Sequence, residues 1–169
     1  DLLAVQGRTA TDPATVVTPF MRATTLMPDL TVRRSRALSP FHVVGRNFSI
    51  TVAGWQRAGR FDEAFVGYGW EDIEFAMRFT QAGGRIHYEP QAFGLHHHPL
   101  TIEQAVRRQR QNGIAAAHFW RKHGRSGRIG LMLEVHPALL PLKWLVYRTA
   151  ILGRAARAVL PWAERGNRV

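Results

Sequence analysis

The sequence predicts an α/β fold, and three observations predict it. Short apolar runs of strand character, such as Phe48-Ser49-Ile50, alternate with segments of helical period. Glycines and capping residues stand where those helices should stop or start. Of the 169 residues 46% are hydrophobic, and five Trp, nine Phe and three Tyr supply a core that a disordered chain would lack. That is material for one compact domain and too little for two substantial ones. The absence of Cys removes disulfide scaffolds, Cys-ligated zinc and thiol catalysis. No cationic stub with an apolar run behind it opens the chain, so no signal peptide is expected. A start at Asp1 rather than Met is what a processed chain or a piece of a longer protein would show.

Residues 2–6 form an apolar run that stops at Gly7 and read as a strand. Residues 9–40 are rich in Thr, Pro and Arg without a period, which predicts loops and one short helix over 19–26. Residues 41–44 and 48–50 read as strands around Gly45-Arg46-Asn47. Val52–Ala58 is a short helix ended by Gly59, and Phe61-Asp62-Glu63 a turn. The next helix runs from Trp70 to about Ala82 and stops at Gly83-Gly84, with Ile73, Ala76 and Met77 as its apolar stripe. Residues 85–88 and 92–96 read as two strands separated by Glu89-Pro90. Thr101 and Gln104 have the spacing of a capping box and open a long basic helix to about Lys122. Residues 124–130, with three Gly and two Arg, read as a flexible linker, followed by apolar stretches broken by Pro137, Pro141 and Pro161. There is no internal repeat.

Charge divides the chain. Residues 1–100 carry ten Arg against nine acids, a net of +1, whereas 101–169 carry eleven Arg and two Lys against three acids, a net of +10. The first part reads as an ordinary module. The second reads either as a solvated basic face or as a surface for a polyanion, an anionic membrane or a phosphate.

Three carboxylates, Glu71, Asp72 and Glu74, open the helix that follows the aromatic, glycine-rich run Phe65-Val66-Gly67-Tyr68-Gly69-Trp70. Acids in a first turn complement the helix dipole, which is one reason for them. Adjacent residues point in different directions, however, so Glu71 and Asp72 do not both serve one cap. The preceding glycines and aromatics would leave an open pocket with flat, sugar-sized walls. A carboxylate there would act as an ionised, orienting base that accepts a proton from a substrate hydroxyl. Downstream, Leu95-His96-His97-His98-Pro99 places His96 and His98 on one strand face and His97 on the other. The pair has metal-ligand spacing but does not complete a site, and a surface His cluster is the alternative.

Together these residues resemble a known family. Asn47-Phe48-Ser49-Ile50, Gly59-Arg60-Phe61-Asp62-Glu63, Gly69-Trp70-Glu71-Asp72-Ile73-Glu74 with Arg78 and Gly83, Tyr88-x-Pro90 and His96 occur in that order. The series, over roughly residues 1–125, is similar to the C-terminal half of the catalytic domain of family 2 glycosyltransferases, which have the GT-A fold. The resemblance implies an inverting transfer of a sugar from a nucleotide-sugar donor to an acceptor hydroxyl, in cell-envelope or polysaccharide synthesis. Asp72 would be the base, with Glu71 beside it holding the acceptor. Trp70 and Gly69 would line the acceptor subsite and Asn47 would sit beside the donor sugar; of Arg107, Arg108 and Arg110 on the basic helix one, with Arg108 put first, would contact the diphosphate, a solvated helix face being the alternative. His96 would be the late contact to a divalent cation (Mg or Mn) or to the diphosphate, with His98 the other candidate for the metal.

Arg60 stands where the family usually has a second Gly. Neither the strand-rich nucleotide-binding half nor its Asp-x-Asp motif is visible; the Asp residues before the acidic cluster are Asp1, Asp12, Asp29 and Asp62. The expectation is therefore a partial GT-A, Rossmann-like α/β domain over 1–125 that lacks its N-terminal half and is inactive alone. The processive enzymes' Q-x-x-R-W motif is also absent, which favours transfer of a single sugar. Residues 126–169 would form a basic amphipathic helical tail, with Leu139, Leu140, Leu142, Trp144, Leu145, Val146, Ile151 and Leu152 interleaved with Lys143, Arg148, Arg154 and Arg157. No charge-free stretch reaches the roughly 18–20 residues of a membrane span. The tail suits an anionic membrane surface, implying a cytoplasmic enzyme at the inner face that acts on a glycan or lipid-linked acceptor, or it packs on the missing half. The competing reading is a non-enzymatic basic module that binds nucleic acid or another polyanion through 101–169. Against it, the strongest motif is acidic and lies outside that region, so no nucleic acid is expected.

Overall fold

The computed structural model describes residues 2–24, 34–148 and 158. In chain order the elements are β1 (Leu3–Thr11), α1 (Pro19–Thr24), β2 (Arg36–Ala37), a 3-10 turn (Pro40–His42), β3 (Phe48–Ile50), α2 (Val52–Ala58), α3 (Glu71–Gln81), β4 (Arg85–His96), α4 (Ile102–Lys122), α5 (Gly127–Met132), a second 3-10 turn (Pro137–Leu139) and α6 (Leu140–Arg148). They fall into two compact units: residues 2–15, 34–66 and 70–99 make one, and 16–24, 67–69, 100–148 and 158 make the other.

The first unit is built on a mixed sheet of order β2-β4-β1-β3. β1 runs parallel to β4, from Leu3 opposite Arg85 to Thr11 opposite His96, and antiparallel to β3. β2 lies antiparallel to β4 on its other side. The core gathers Ala4, Leu38, Val43, Ala58, Phe75, Ala76, Phe79, Ile86 and Tyr88. On α3 the buried face is Phe75, Ala76 and Phe79, with Glu74, rather than the stripe of Ile73, Ala76 and Met77 expected from spacing. Two phenyl rings bury more apolar area than Ile73 and Met77 offer, and they turn the helix onto their side.

Three other expectations are corrected. β1 does not stop at Gly7 but continues to Thr11. At Gly7 a Cβ would come within 2.3 Å of both Ala92 O and Asn47 Nδ2, so the strand carries glycine to let these groups in, not to end. Residues 85–96 are one strand, not two; the register jumps from Gly7 opposite Glu89 to Arg8 opposite Phe93, leaving a bulge at Pro90-Gln91-Ala92. Pro90 has no N–H for the ladder, and a bulge is where a sheet accepts it. Beside it Glu89 is held below its ordinary value of 4.5 by the Gln91 N–H and then by the Ser35 hydroxyl. Residues 41–44 are not a strand: Pro40 occupies the first turn of a 3-10 helix after extended Ser39.

In the second unit the capping box forms as expected: Thr101 Oγ1 accepts from Gln104 N, and Gln104 Oε1 accepts from Thr101 N, both at 3.1 Å. α4 buries Ala115, Ala116 and Phe119. The linker expected over 124–130 is instead ordered by Trp120, whose Nε1 donates to Ser126 O at 2.9 Å, and α5 begins at Gly127. On α6 Leu140, Leu142, Trp144 and Leu145 are exposed. Ile151, Leu152, Arg154, Arg157, Pro161, Leu26, Asp29 and the side chain of Val146 lie outside the described residues. No described helix is long and apolar enough to cross a membrane.

Candidate active site

The three acids at the start of α3 separate into three environments. Glu74 is fully buried, and both its oxygens accept from Arg78 Nε one turn on, at 2.9 and 3.0 Å. The rest of that guanidinium reaches back: Nη1 donates to Ala58 O, and Nη2 to Arg60 O at 2.8 Å. The pair therefore fastens the end of α2 and the loop before Phe61 onto α3. A buried carboxylate already committed to a guanidinium is structural, not a base for substrate. Glu71 Oε2 is buried and meets no hydrogen-bond donor among the described residues.

Asp72 is the acid that faces a cavity. Its Oδ1 accepts from the Ile73 N–H at 2.8 Å, and its Oδ2 from the Gly45 N–H at 2.9 Å. Two backbone donors fix the carboxylate in one orientation and leave lone pairs for a further proton donor. The cavity, of about 170 Å³, is lined by Val43, Gly45, Phe48, Ile50, Trp55, Phe61, Asp72 and Phe75. An apolar cavity of about 150 Å³ is known to take up a benzene ring, so this one has room for a group of that size. Trp55, Phe61 and Phe75 form one aromatic cluster, with centroids 5.2 Å apart for Trp55 and Phe75, 5.5 Å for Trp55 and Phe61, and 4.7 Å for Phe61 and Phe75. Flat aromatic walls around one carboxylate suit a ring with an apolar face and a hydroxyl edge.

The walls are not those the sequence suggested. Within the first unit, Phe65, Val66 and Trp70 are not among the lining residues. Trp70 instead caps α3 in a left-handed conformation, φ 70°, a strained state for a bulky residue. In the second unit Gly69, at φ 108°, sits so close to α4 that a Cβ would fall 2.2 Å from Asn112 Oδ1. There too the Arg108 guanidinium lies 5.2 Å over the Tyr68 ring.

Asn47, with φ 51°, has its side-chain amide between two strands, donating to Arg8 O and Ala92 O, each at 2.8 Å. It locks the β1–β4 bulge. His96 and His98 do share a face, as alternation predicts, with rings stacked 4.9 Å apart. His97 points the other way, its Nδ1 3.0 Å from Thr15 Oγ1 and 3.4 Å from Asp12 Oδ2. Among the described residues no three His, Cys, Asp or Glu side chains converge as a metal site would require. Mg and Mn take octahedral, oxygen-rich ligand sets, and two imidazoles supply two nitrogens and no oxygen, so the described residues do not by themselves fit the expected cation.

A family model described as glycosyl transferase family group 2 matches residues 5–163. The chain belongs to this glycosyltransferase family. No curated protein and no solved structure matches it. A glycosyltransferase of this family implies a nucleotide-sugar donor and a glycan acceptor, and the mixed α/β sheet is consistent with part of a Rossmann-like fold. The residues that sequence reasoning missed are Gly45, Trp55 and Phe61. Phe61 was within reach, since it stands in the Gly59–Glu63 block. Gly45 acts through its backbone and leaves no side-chain signature.

Proposed function

We propose that this glycosyltransferase domain carries out an inverting transfer in which Asp72 is the base. The supporting observation is the Asp72 carboxylate, held by two backbone N–H groups at an aromatic-walled cavity. In this reading the acceptor stacks on Trp55 and Phe61 with one hydroxyl toward Asp72. The hydroxyl oxygen attacks the anomeric carbon from the face opposite the diphosphate, its proton passes to Asp72, and the sugar–phosphate C–O bond breaks with its electron pair leaving on the nucleoside diphosphate. A single displacement turns the anomeric centre over. Glu71 would hold the acceptor beside it. The test is the anomeric proton coupling of the product, by NMR, in the protein that carries this chain, for each nucleotide-sugar donor it consumes. Inversion at the anomeric carbon is expected; retention would overturn the reading.

The same enzyme would work in the cytoplasm at the inner face of a membrane, in cell-envelope or polysaccharide synthesis. What supports this is the exposure of Leu140, Leu142, Trp144 and Leu145 on α6, interleaved with Lys143 and Arg148, in a region of net charge +10. Apolar insertion next to cations favours anionic lipid. Co-sedimentation with phosphatidylglycerol vesicles at low salt, and markedly less with phosphatidylcholine vesicles, is expected. Equal binding to both would remove the membrane from the account.

A further inference from the structure

We infer that the buried amide of Gln6 is a positioning residue for Asp72, acting through the loop of residues 44–47. The inference rests on Asp72 being the base. Gln6 shares a face of β1 with the core residue Ala4 and is itself only 3% exposed, a position where the sheet would otherwise place an apolar side chain. A buried amide without partners costs roughly 1–3 kcal/mol, so its retention there calls for a use. Its bonds supply one. Gln6 Oε1 accepts from Val44 N at 2.9 Å, and Nε2 donates to Arg46 O at 2.9 Å, with Asn47 O and Gly7 O each at 3.2 Å.

The amide thus clasps the loop on both sides of Gly45. Beyond it, Gly7 N donates to Asn47 O at 2.8 Å, and the Asn47 side chain ties the end of the loop to β1 and β4. The residue so enclosed, Gly45, gives Asp72 Oδ2 its hydrogen bond. The other bond to Asp72 comes from the adjacent Ile73 in its own helix and travels with it. Among the described bonds, only the Gly45 N–H references the carboxylate to the sheet. A displacement of that loop rotates the base without touching the core of α3.

The experiment uses the 169-residue chain labelled with 15N, with the Gly45 amide assigned through Gly45→Ala, whose Cβ would find Asp72 Cβ at an ordinary 3.7 Å. Gln6→Met keeps the shape and removes the clasp. It is expected to move the Gly45 amide signal in the same direction as Asp72→Asn does; an unmoved signal in folded Gln6→Met overturns the inference. Should Gln6→Met fail to fold, the reciprocal measurement decides. Asp72→Asn is expected to shift the Gln6 side-chain amide signals, and unchanged signals overturn it. In the transferring protein Gln6→Met should lower kcat about 10-fold with the donor KM unchanged. Transfer that survives Asp72→Asn would sink the base assignment instead, and the amide signals would still judge Gln6 alone.

Discussion

Glu74→Ala is expected to cost the fold about 3–5 kcal/mol, a large part of the roughly 5–15 kcal/mol that holds a domain together. Glu74 is 0% exposed and binds Arg78 through both oxygens, while the Arg78 side chain is 23% exposed. Removing the carboxylate strands a guanidinium that still has to satisfy Ala58 O and Arg60 O. Arg78→Met should cost as much, because it takes the guanidinium away from a carboxylate that is fully buried. Replacing both, as Glu74→Leu with Arg78→Met, should recover much of the loss, since the expense lies in the unpaired charge rather than in the missing attraction. Urea unfolding at constant m measures each variant. A loss below about 1 kcal/mol for Glu74→Ala would show that the pair is solvated and does not fasten the loop before Phe61.

How far the sequence carried this follows from where the information sits. The capping box at Thr101 and Gln104, the helix end at Gly59 and the reach of α3 were legible because each is written in a few adjacent residues. The continuation of β1 past Gly7 was not, because glycine has two uses, and only the partner strand shows that this one makes room for Asn47 and Ala92. The proline at position 90 read as a break for the same reason: a bulge is a property of two strands. Within the acidic cluster, spacing could say that Glu71 and Asp72 diverge but not which carboxylate is committed. The commitment of Glu74 depends on Arg78 and on carbonyls at 58 and 60. The cavity walls came from Phe48, Trp55, Phe61 and Phe75, which are spread over 28 positions of sequence, and not from the aromatic run beside the acids.

Asp72→Asn bears on the reaction itself. The amide replaces the carboxylate at nearly unchanged shape, but its single oxygen can accept from only one of the Gly45 and Ile73 N–H groups, so about 1 kcal/mol of stability should be lost while the fold is kept. What it loses is the capacity to take a proton as the acceptor oxygen attacks, a contribution of about 10²–10⁴ in rate. Glu71→Gln, which removes a neighbour rather than the base, should cost less and chiefly in the acceptor KM. The deciding measurement is kcat/KM for sugar transfer by the Asp72→Asn protein, with its folding checked by urea titration. A fall of about 10²-fold or more in a protein that remains folded is the predicted result, and transfer at the wild-type rate would contradict the account.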